Sequence, residues 1–377
     1  MKIPFVKPPL LGHEEGYILE AIRSGHHDGN GPFTKKCHSF IESQFDVKKT
    51  LLTTSCTDAL EMAAYLVDAQ PGDEFIVPSY TFSSTATAFV SRGLKPIFVD
   101  IRNDTLNIDE TKIEALITKK TKAIVPIHYA GTVAEMDTIN NIAKEHNLVV
   151  IEDAAQAVNS KYKGNFAGSL SDMGTYSFHA TKSYSCGEGG ALTLNNENFY
   201  ERSEYLWEKG TDRSQVIKGL KNKYWWVDYG SSFLLSDILA AMLLAQLEVK
   251  DELQLMRKKL YDSYSTVLSP LKEKGLGLPY VPEECESNFH AFYLVFPTPE
   301  QRSRFLDLVI SNNVVSYIGY IPLHSSPMGV KLGGGRFVLP VTDHVSERVV
   351  RLPFYLMSND EINYACDVIH SCAKKVL

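Results

Sequence analysis

The chain has few cysteines, and they do not cluster. The six, at positions 37, 56, 186, 285, 366 and 372, include no Cys-x-x-Cys pair, which leaves no zinc knuckle or dithiol motif and fits a reducing compartment. Nowhere do eighteen apolar residues run together, so no membrane-spanning helix is expected. Met1-Lys2-Ile3-Pro4-Phe5-Val6-Lys7-Pro8-Pro9 lacks the unbroken apolar stretch of an export signal. A basic excess is missing too: 38 Lys and Arg against 45 Asp and Glu leave a net charge of −7. That balance speaks against a nucleic-acid partner, and any anionic ligand must be held locally. A cytoplasmic protein, bound to neither membrane nor nucleic acid, is the expectation. His26-His27-Asp28 has no third ligand at suitable spacing, and its Gly25 and Gly29 flanks mark an exposed turn, so no metal site is expected.

What is present is a long, ordinary globular composition: 377 residues, 44% hydrophobic and 22% charged, enough for two domains. Between about residues 50 and 195, short apolar runs alternate with amphipathic stretches. The runs lie at 50–53, 74–77, 96–99, 123–127, 149–151 and 191–194. Between them, Ala59-Leu60-Met62-Ala63-Leu66 and Met136-Ile139-Ile142-Ala143 repeat at helical spacing. The pattern predicts an α/β domain built on parallel strands with crossover helices, over 1–250. From 236 to 268 apolar positions recur without an interrupting proline, which predicts one long helix bridging to a second unit. That unit, 251–377, is expected to be a smaller α+β domain with strands near 291–296 and 314–318 and helices near 299–312 and 359–374. Gly333-Gly334-Gly335 marks a mobile loop.

Three features point to pyridoxal phosphate (PLP), which needs an amine for its aldehyde, an anion beside its ring nitrogen and a cradle for a phosphate dianion. Lys182 closes Ser177-Phe178-His179-Ala180-Thr181-Lys182 and is followed by Gly187-Glu188-Gly189-Gly190, glycines that let backbone pass close to a ring. Asp153 ends the run Leu148-Val149-Val150-Ile151-Glu152, at the strand edge where parallel sheets bind ligands, with Gln156 in reach of the ring oxygen. Thr54-Ser55-Cys56-Thr57-Asp58 follows a strand and opens a helix, so N–H groups and hydroxyls of Ser55 and Thr57 converge on an anion site. Ser177 can add a hydroxyl, and Phe82 can stack on the ring. Each has a plainer reading: Ser55 or Thr57 as an N-cap, Asp153 as a cap on Ala154-Ala155-Gln156, Phe82 as core.

The series Thr54-Ser55-Cys56-Thr57, Pro78-Ser79-Tyr80-Thr81-Phe82, Pro126-Ile127-His128-Tyr129-Ala130-Gly131, Glu152-Asp153-Ala154-Ala155-Gln156, Ser177 to Lys182 and Gly187-Glu188-Gly189-Gly190 resembles the DegT/DnrJ-type nucleotide-sugar aminotransferases. The likeness holds in order and spacing over nearly the full chain. It implies a type I PLP (aspartate aminotransferase) fold and a homodimer with interface active sites. It also implies L-glutamate as donor and a nucleotide-linked 4-keto-6-deoxyhexose as acceptor, with thymidine as carrier and an axial amine at carbon 4. Residue by residue, it implies a covalent link at Lys182, ring-nitrogen pairing by Asp153, phosphate contacts from Cys56, Thr57 and Ser177, stacking by Phe82 and a ring contact by Gln156. Where the family has Gly-x-Asn-x-Arg reaching a neighbouring subunit, this chain has Gly230-Ser231-Ser232-Phe233-Leu234. Ser232 can still donate to phosphate there, whereas Leu234 cannot replace an arginine. Family dehydratases carry histidine at the lysine position, so Lys182 favours transamination.

On the substrate side, Lys218, Lys221 and Lys223 beside Tyr224, Trp225 and Trp226 form either a nucleotide-binding cluster or a solvated loop. Tyr317, Tyr320 and His324 resemble the family segment that approaches the sugar. Two rival readings are a nucleotide-sugar-binding regulator with vestigial PLP chemistry and a nicotinamide-dependent oxidoreductase. The second lacks a Gly-x-Gly-x-x-Gly after its first strand.

Overall fold

The computed structural model describes all 377 residues. In chain order its strands begin with β1 (Lys49–Thr53), β2 (Glu74–Pro78), β3 (Lys95–Val99), β4 (Thr121–Ile124) and β5 (Val149–Asp153). The short pair β6 (Lys161–Tyr162) and β7 (Asn165–Phe166) precedes β8 (Met173–Ser177) and β9 (Gly190–Leu194). Beyond them come β10 (Cys285–Glu286), β11 (Tyr293–Val295), β12 (Tyr317–Ile318) and β13 (Val349–Arg351).

Seven strands form one sheet in the order β1-β9-β8-β5-β4-β2-β3. Every pairing from β3 across to β8 is parallel, and β9 alone is reversed, antiparallel to both β8 and β1. The mostly parallel sheet is as expected, with two corrections. The run 191–194 is antiparallel, and β8, in mid-sheet, is marked by no apolar run: Met173-Gly174-Thr175-Tyr176-Ser177 is fully buried yet rich in small and polar residues.

The pleat sends alternate side chains to opposite faces. Leu52, Ile76, Ile124, Val150 and Tyr176 enter one core, under helices Pro32–Gln44, Met136–His146 and Asp237–Leu247. Leu51, Phe75, Ala123, Ile151 and Met173 enter another, under Cys56–Leu66, Ser83–Val90 and Tyr200–Trp207. Cover on both faces is why most of these strands read as unbroken apolar runs.

The C-terminal sheet has the order β11-β13-β12, antiparallel throughout. It shares a core with helices Lys250–Leu268, Pro299–Ser311 and Asn359–Val376, through Leu260, Tyr264, Phe292, Phe305 and Ile369. Ile3 joins this core and bridges Val314, so the N-terminal segment packs against the C-terminal sheet. The single helix expected over 236–268 is two, Asp237–Leu247 and Lys250–Leu268, because Val249 leaves helical geometry at φ −109°, ψ 22°. The halves serve different cores: Leu243 and Leu247 face the sheet, Tyr264 and Leu268 the C-terminal unit. Gly334–Arg336 form a short 3-10 turn where a mobile loop was expected, and 314–318 supplies only the two strand residues of β12. No helix is long and apolar enough to cross a membrane.

Candidate active site

The parallel strands aim their carboxyl ends at one edge of the sheet. Asp153 ends β5 and Ser177 ends the neighbouring β8, with Asp153 in register with Thr175. Asp153 is 6% exposed. Its Oδ1 accepts from the Ala155 N–H at 3.1 Å, and its Oδ2 accepts from Thr85 Oγ1 at 2.7 Å. The carboxylate thus caps the turn after β5 and also lines a cavity.

Ser55 caps the helix Cys56–Leu66, its Oγ accepting from the Asp58 N–H at 3.1 Å. Cys56 and Thr57 fill the first turn, where N–H groups have no intrahelical acceptor and the helix dipole favours an anion. The wall of this cup is Gly190. A Cβ there would lie 2.4 Å from Cys56 N and 2.4 Å from the Ser55 carbonyl carbon, so only glycine lets β9 come so close. Burial, reinforced by the Asp153 charge, pushes the Cys56 thiol well above its usual range. The thiol stays neutral beside any anion held there.

Lys182 sits in the tight loop linking β8 to β9. Phe178 N–H donates to Gly189 O at 2.8 Å, Ala180 N–H to Gly187 O at 2.8 Å, and Lys182 N–H to His179 O at 2.9 Å. Gly187 turns the chain at φ 91°. Burial depresses the Lys182 ammonium below the usual lysine range; Cys56 and Asp153 pull it back, and Arg351 adds to the depression. A lysine so placed yields a neutral, nucleophilic amine more readily than one in water.

These groups line one cavity of about 390 Å³, with Phe82, Gln156, His290, Tyr320 and Arg351 completing its wall. Gln156 is fixed at both ends of its amide: Oε1 accepts from the Ala130 N–H at 2.8 Å, and Nε2 donates to Tyr320 Oη at 2.9 Å. Phe82 is 59% exposed, which removes the core-packing reading and leaves its ring free to stack. An amine, a buried carboxylate and a helix-end cup in one cavity are the donor set PLP requires.

The family model for DegT/DnrJ/EryC1/StrS aminotransferases matches residues 11–370. The chain belongs to that family. It is 30% identical over 372 residues to GDP-perosamine synthase of Escherichia coli O157:H7, covering 98% of each. It is 32% identical to the Bacillus subtilis spore coat polysaccharide biosynthesis protein SpsC, covering 97% of this chain and 96% of the relative. Spr1654 from Streptococcus pneumoniae, solved in its PLP form, superposes with a TM-score of 0.91 at 27% identity over 100% of both chains. The protein is thus a PLP-dependent sugar aminotransferase of type I fold.

For this DegT/DnrJ-family chain, the cavity gathers Ser55, Cys56, Thr57, Phe82, Asp153, Gln156, Ser177, Lys182 and Tyr320, nine of the residues singled out in the sequence. It does not gather the others. His324 lies outside it, 5% exposed, its Nδ1 2.7 Å from Ser79 Oγ and its Nε2 3.4 Å from Asp343. Lys223 and Ser232 are exposed and lie outside the cavity of their own chain. Lys218 and Lys221 are neutralised locally, by Glu204 at 2.6 Å and Asp212 at 2.5 Å, while Trp225 and Trp226 stay exposed. Tyr317 packs edge-on against Phe5 with ring centroids 4.8 Å apart.

Sequence reasoning missed Thr85, His290 and Arg351. Thr85 had a faint signal, one helical turn after Thr81, whose Oγ1 lies 3.0 Å from its own. His290 and Arg351 lie in the C-terminal unit, over a hundred positions from Lys182, and no local pattern marks them.

Proposed function

We propose that this enzyme moves the amino group of L-glutamate onto carbon 4 of a nucleotide-linked 4-keto-6-deoxyhexose. The specific reaction is TDP-4-keto-6-deoxy-D-glucose to TDP-4-amino-4,6-dideoxy-D-galactose, in the cytoplasm, for cell-surface polysaccharide. The observation that carries the transferase chemistry is Lys182 and Asp153 opening onto one cavity beside the Ser55-Cys56-Thr57 cup. When bound, PLP supplies an aldehyde that takes up and returns nitrogen and a ring that accepts an electron pair.

The chain's own residues do the rest. Cys56 and Thr57 N–H groups, with the hydroxyls of Ser55, Thr57 and Ser177, hold the phosphate. Asp153 would keep a proton on the ring nitrogen, and Thr85 aims its carboxylate. Gln156, clamped between Ala130 and Tyr320, would offer its amide to the ring, and the exposed Phe82 would stack on it. Lys182 would hold the cofactor through its Nζ, and that amine, when released, would serve as the site's proton carrier, a task its depressed basicity suits. A homodimer places the exposed Ser232 of one protomer at the cup of the other, and Lys223 toward the nucleotide. The likeness to GDP-perosamine synthase supports a nucleotide-linked sugar, and its guanosine makes the base the first point to test.

Borohydride reduction of the holoenzyme followed by peptide mapping should label Lys182 alone. Assays with glutamate and keto sugars on TDP, UDP and GDP, with product stereochemistry read by NMR, should give an axial 4-amine on TDP. An equatorial 4-amine or a 3-amine would replace the product assigned here.

A further inference from the structure

The N-terminal segment runs as a strap between two parts of the molecule. Ile3 N–H donates to Asn313 O at 2.8 Å, Val315 N–H to Ile3 O at 3.0 Å and Phe354 N–H to Phe5 O at 3.0 Å. These bonds stitch the strap to the C-terminal unit. Its other end is held from the large domain, where Gln246, fully buried on the helix Asp237–Leu247, donates through Nε2 to Pro9 O at 2.5 Å. The Oε1 of the same amide accepts the Ser185 N–H at 2.9 Å, in the loop that carries Lys182. One side chain thus fixes the strap against the Lys182 loop.

Between its two anchorages the strap delivers Phe5 to the wall of the cavity that holds Lys182. The half-buried ring is set from two sides, by the edge-on Tyr317 and by the Arg351 guanidinium, 5.4 Å from its centroid. A ring pinned through both backbone and side chain presents a fixed apolar surface. The cavity's other hydrocarbon side chains sit with the cofactor groups: Leu60 on the cup helix, Ile127 bridged to Asp153, Ala155 bonded to Asp153, and Phe82 assigned above to the ring. The C-terminal unit contributes His290, Tyr320 and Arg351, all polar. Phe5 is the one hydrocarbon side chain left for the substrate.

Resting on the keto-sugar reading above and deepening it, we propose that Phe5 determines specificity at carbon 6: its ring packs on the methyl of a 6-deoxy sugar and discriminates against a 6-hydroxyl. Carbon 6 is two bonds from carbon 4. A keto carbon brought to the reacting centre beside Lys182 therefore carries its methyl into the same cavity, while the nucleotide, on carbon 1, lies across the sugar ring. A hydroxyl added at carbon 6 gives up water against a ring that offers neither a donor nor a carbonyl in return. Glutamate brings carboxylates and no methyl, so its half-reaction makes no such demand on Phe5.

The test compares two keto sugars on one nucleotide, with and without the carbon-6 hydroxyl, in the second half-reaction of the holoenzyme. The wild type should prefer the 6-deoxy sugar in kcat/KM by about 100-fold, the range an apolar wall gives against an added hydroxyl. Phe5→Ala should cut that preference to about threefold and leave the glutamate half-reaction and the PLP affinity within about twofold. Phe5→Leu keeps hydrocarbon at the wall and should retain most of the preference. Phe5→Gln, similar in length but able to bond a hydroxyl, should lose it. Calorimetry of the PLP-loaded protein with TDP-6-deoxy-D-glucose and TDP-D-glucose, whose carbon-4 hydroxyl cannot react, reads the same discrimination without turnover. An unchanged preference in Phe5→Ala and Phe5→Gln, or a glutamate half-reaction that falls as far as the sugar one, would overturn the assignment. A wild type that responds to glutamate but accepts neither keto sugar would end the sugar reading first, and this proposal with it.

Discussion

Thr85 Oγ1 donates to Asp153 Oδ2 at 2.7 Å, across a gap of sixty-eight residues. A hydroxyl has one proton, so its use on the carboxylate obliges Thr81 to donate in turn to Thr85, 3.0 Å away. The two threonines form a one-way relay that holds the carboxylate aimed. Thr85→Val keeps the shape and removes the donor. A buried charge-assisted hydrogen bond of this kind contributes about 1.5–3 kcal/mol, so PLP should bind at least tenfold more weakly. Titrating the cofactor-free variant with PLP measures this, with Thr81→Val expected to show a smaller change. Equal affinity in Thr85→Val and wild type would mean that Asp153 needs no orientation.

Lys182 gives a signed dependence on pH. Its amine is held below the usual lysine range by burial, against the pull of Cys56 and Asp153. The folded value is therefore lower than the unfolded value of about 10.4. Below both values the folded state carries a fixed penalty. Between them the unfolded chain binds more protons, so the stability of cofactor-free protein rises with pH, and above both the penalty is gone. Lys182→Met should stabilise the cofactor-free protein near neutral pH by on the order of 0.5–1 kcal/mol, at the modest end because Cys56 and Asp153 offset part of the burial penalty. The gain should shrink as pH approaches lysine's ordinary value. Denaturant midpoints across pH read both; a gain constant with pH would come from packing rather than charge.

The parts of this site legible in the sequence are those where chemistry and local geometry coincide. Asp153 follows an apolar strand, Ser55-Cys56-Thr57 opens a helix, and Lys182 precedes a run of glycines, so each is announced by its neighbours. The parallel sheet is legible because strands covered on both faces must be apolar throughout. β8 escaped for the complementary reason: Gly174 backs onto Gly168, where a Cβ would lie 2.6 Å from the Gly168 Cα, and small residues replace the usual apolar signal. Arg351 and His290 are invisible locally because they reach the cavity through tertiary packing alone. His324 lies four residues from Tyr320, which faces the cavity, and nothing in the spacing shows that Ser79 holds the imidazole outside it.

Gly190 is the tightest structural demand in the cup. With a Cβ at 2.4 Å from Cys56 N, Gly190→Ala must push β9 and the helix start apart. Overpacking of this kind costs about 1–3 kcal/mol and here falls on the N–H groups that hold phosphate. Both the denaturant midpoint and the PLP affinity should drop together. Gly335→Ala is the control, since no atom lies within 4 Å of a Cβ there. Loss of stability with intact PLP affinity would separate the cup from β9.

Ser79 fastens the segment that carries Tyr320. At the end of β2, its carbonyl accepts from the Leu323 N–H at 2.9 Å and its Oγ accepts from the His324 N–H at 3.0 Å. The Ser79 hydroxyl also hydrogen-bonds His324 Nδ1 at 2.7 Å, and the imidazole Nε2 faces Asp343 Oδ1 at 3.4 Å. His324→Ala leaves the fully buried Ser79 hydroxyl without its imidazole partner, a cost of about 1–3 kcal/mol. Because His324 touches nothing in the cavity, PLP affinity should stay within about threefold, a change below 1 kcal/mol. Tyr320→Phe should do the opposite. It removes the acceptor of Gln156 Nε2 inside the cavity and should slow turnover while leaving the denaturant midpoint nearly unchanged. Should His324→Ala instead abolish sugar binding at unchanged stability, the imidazole must swing out to the substrate, and the fastening described here would be a resting arrangement only.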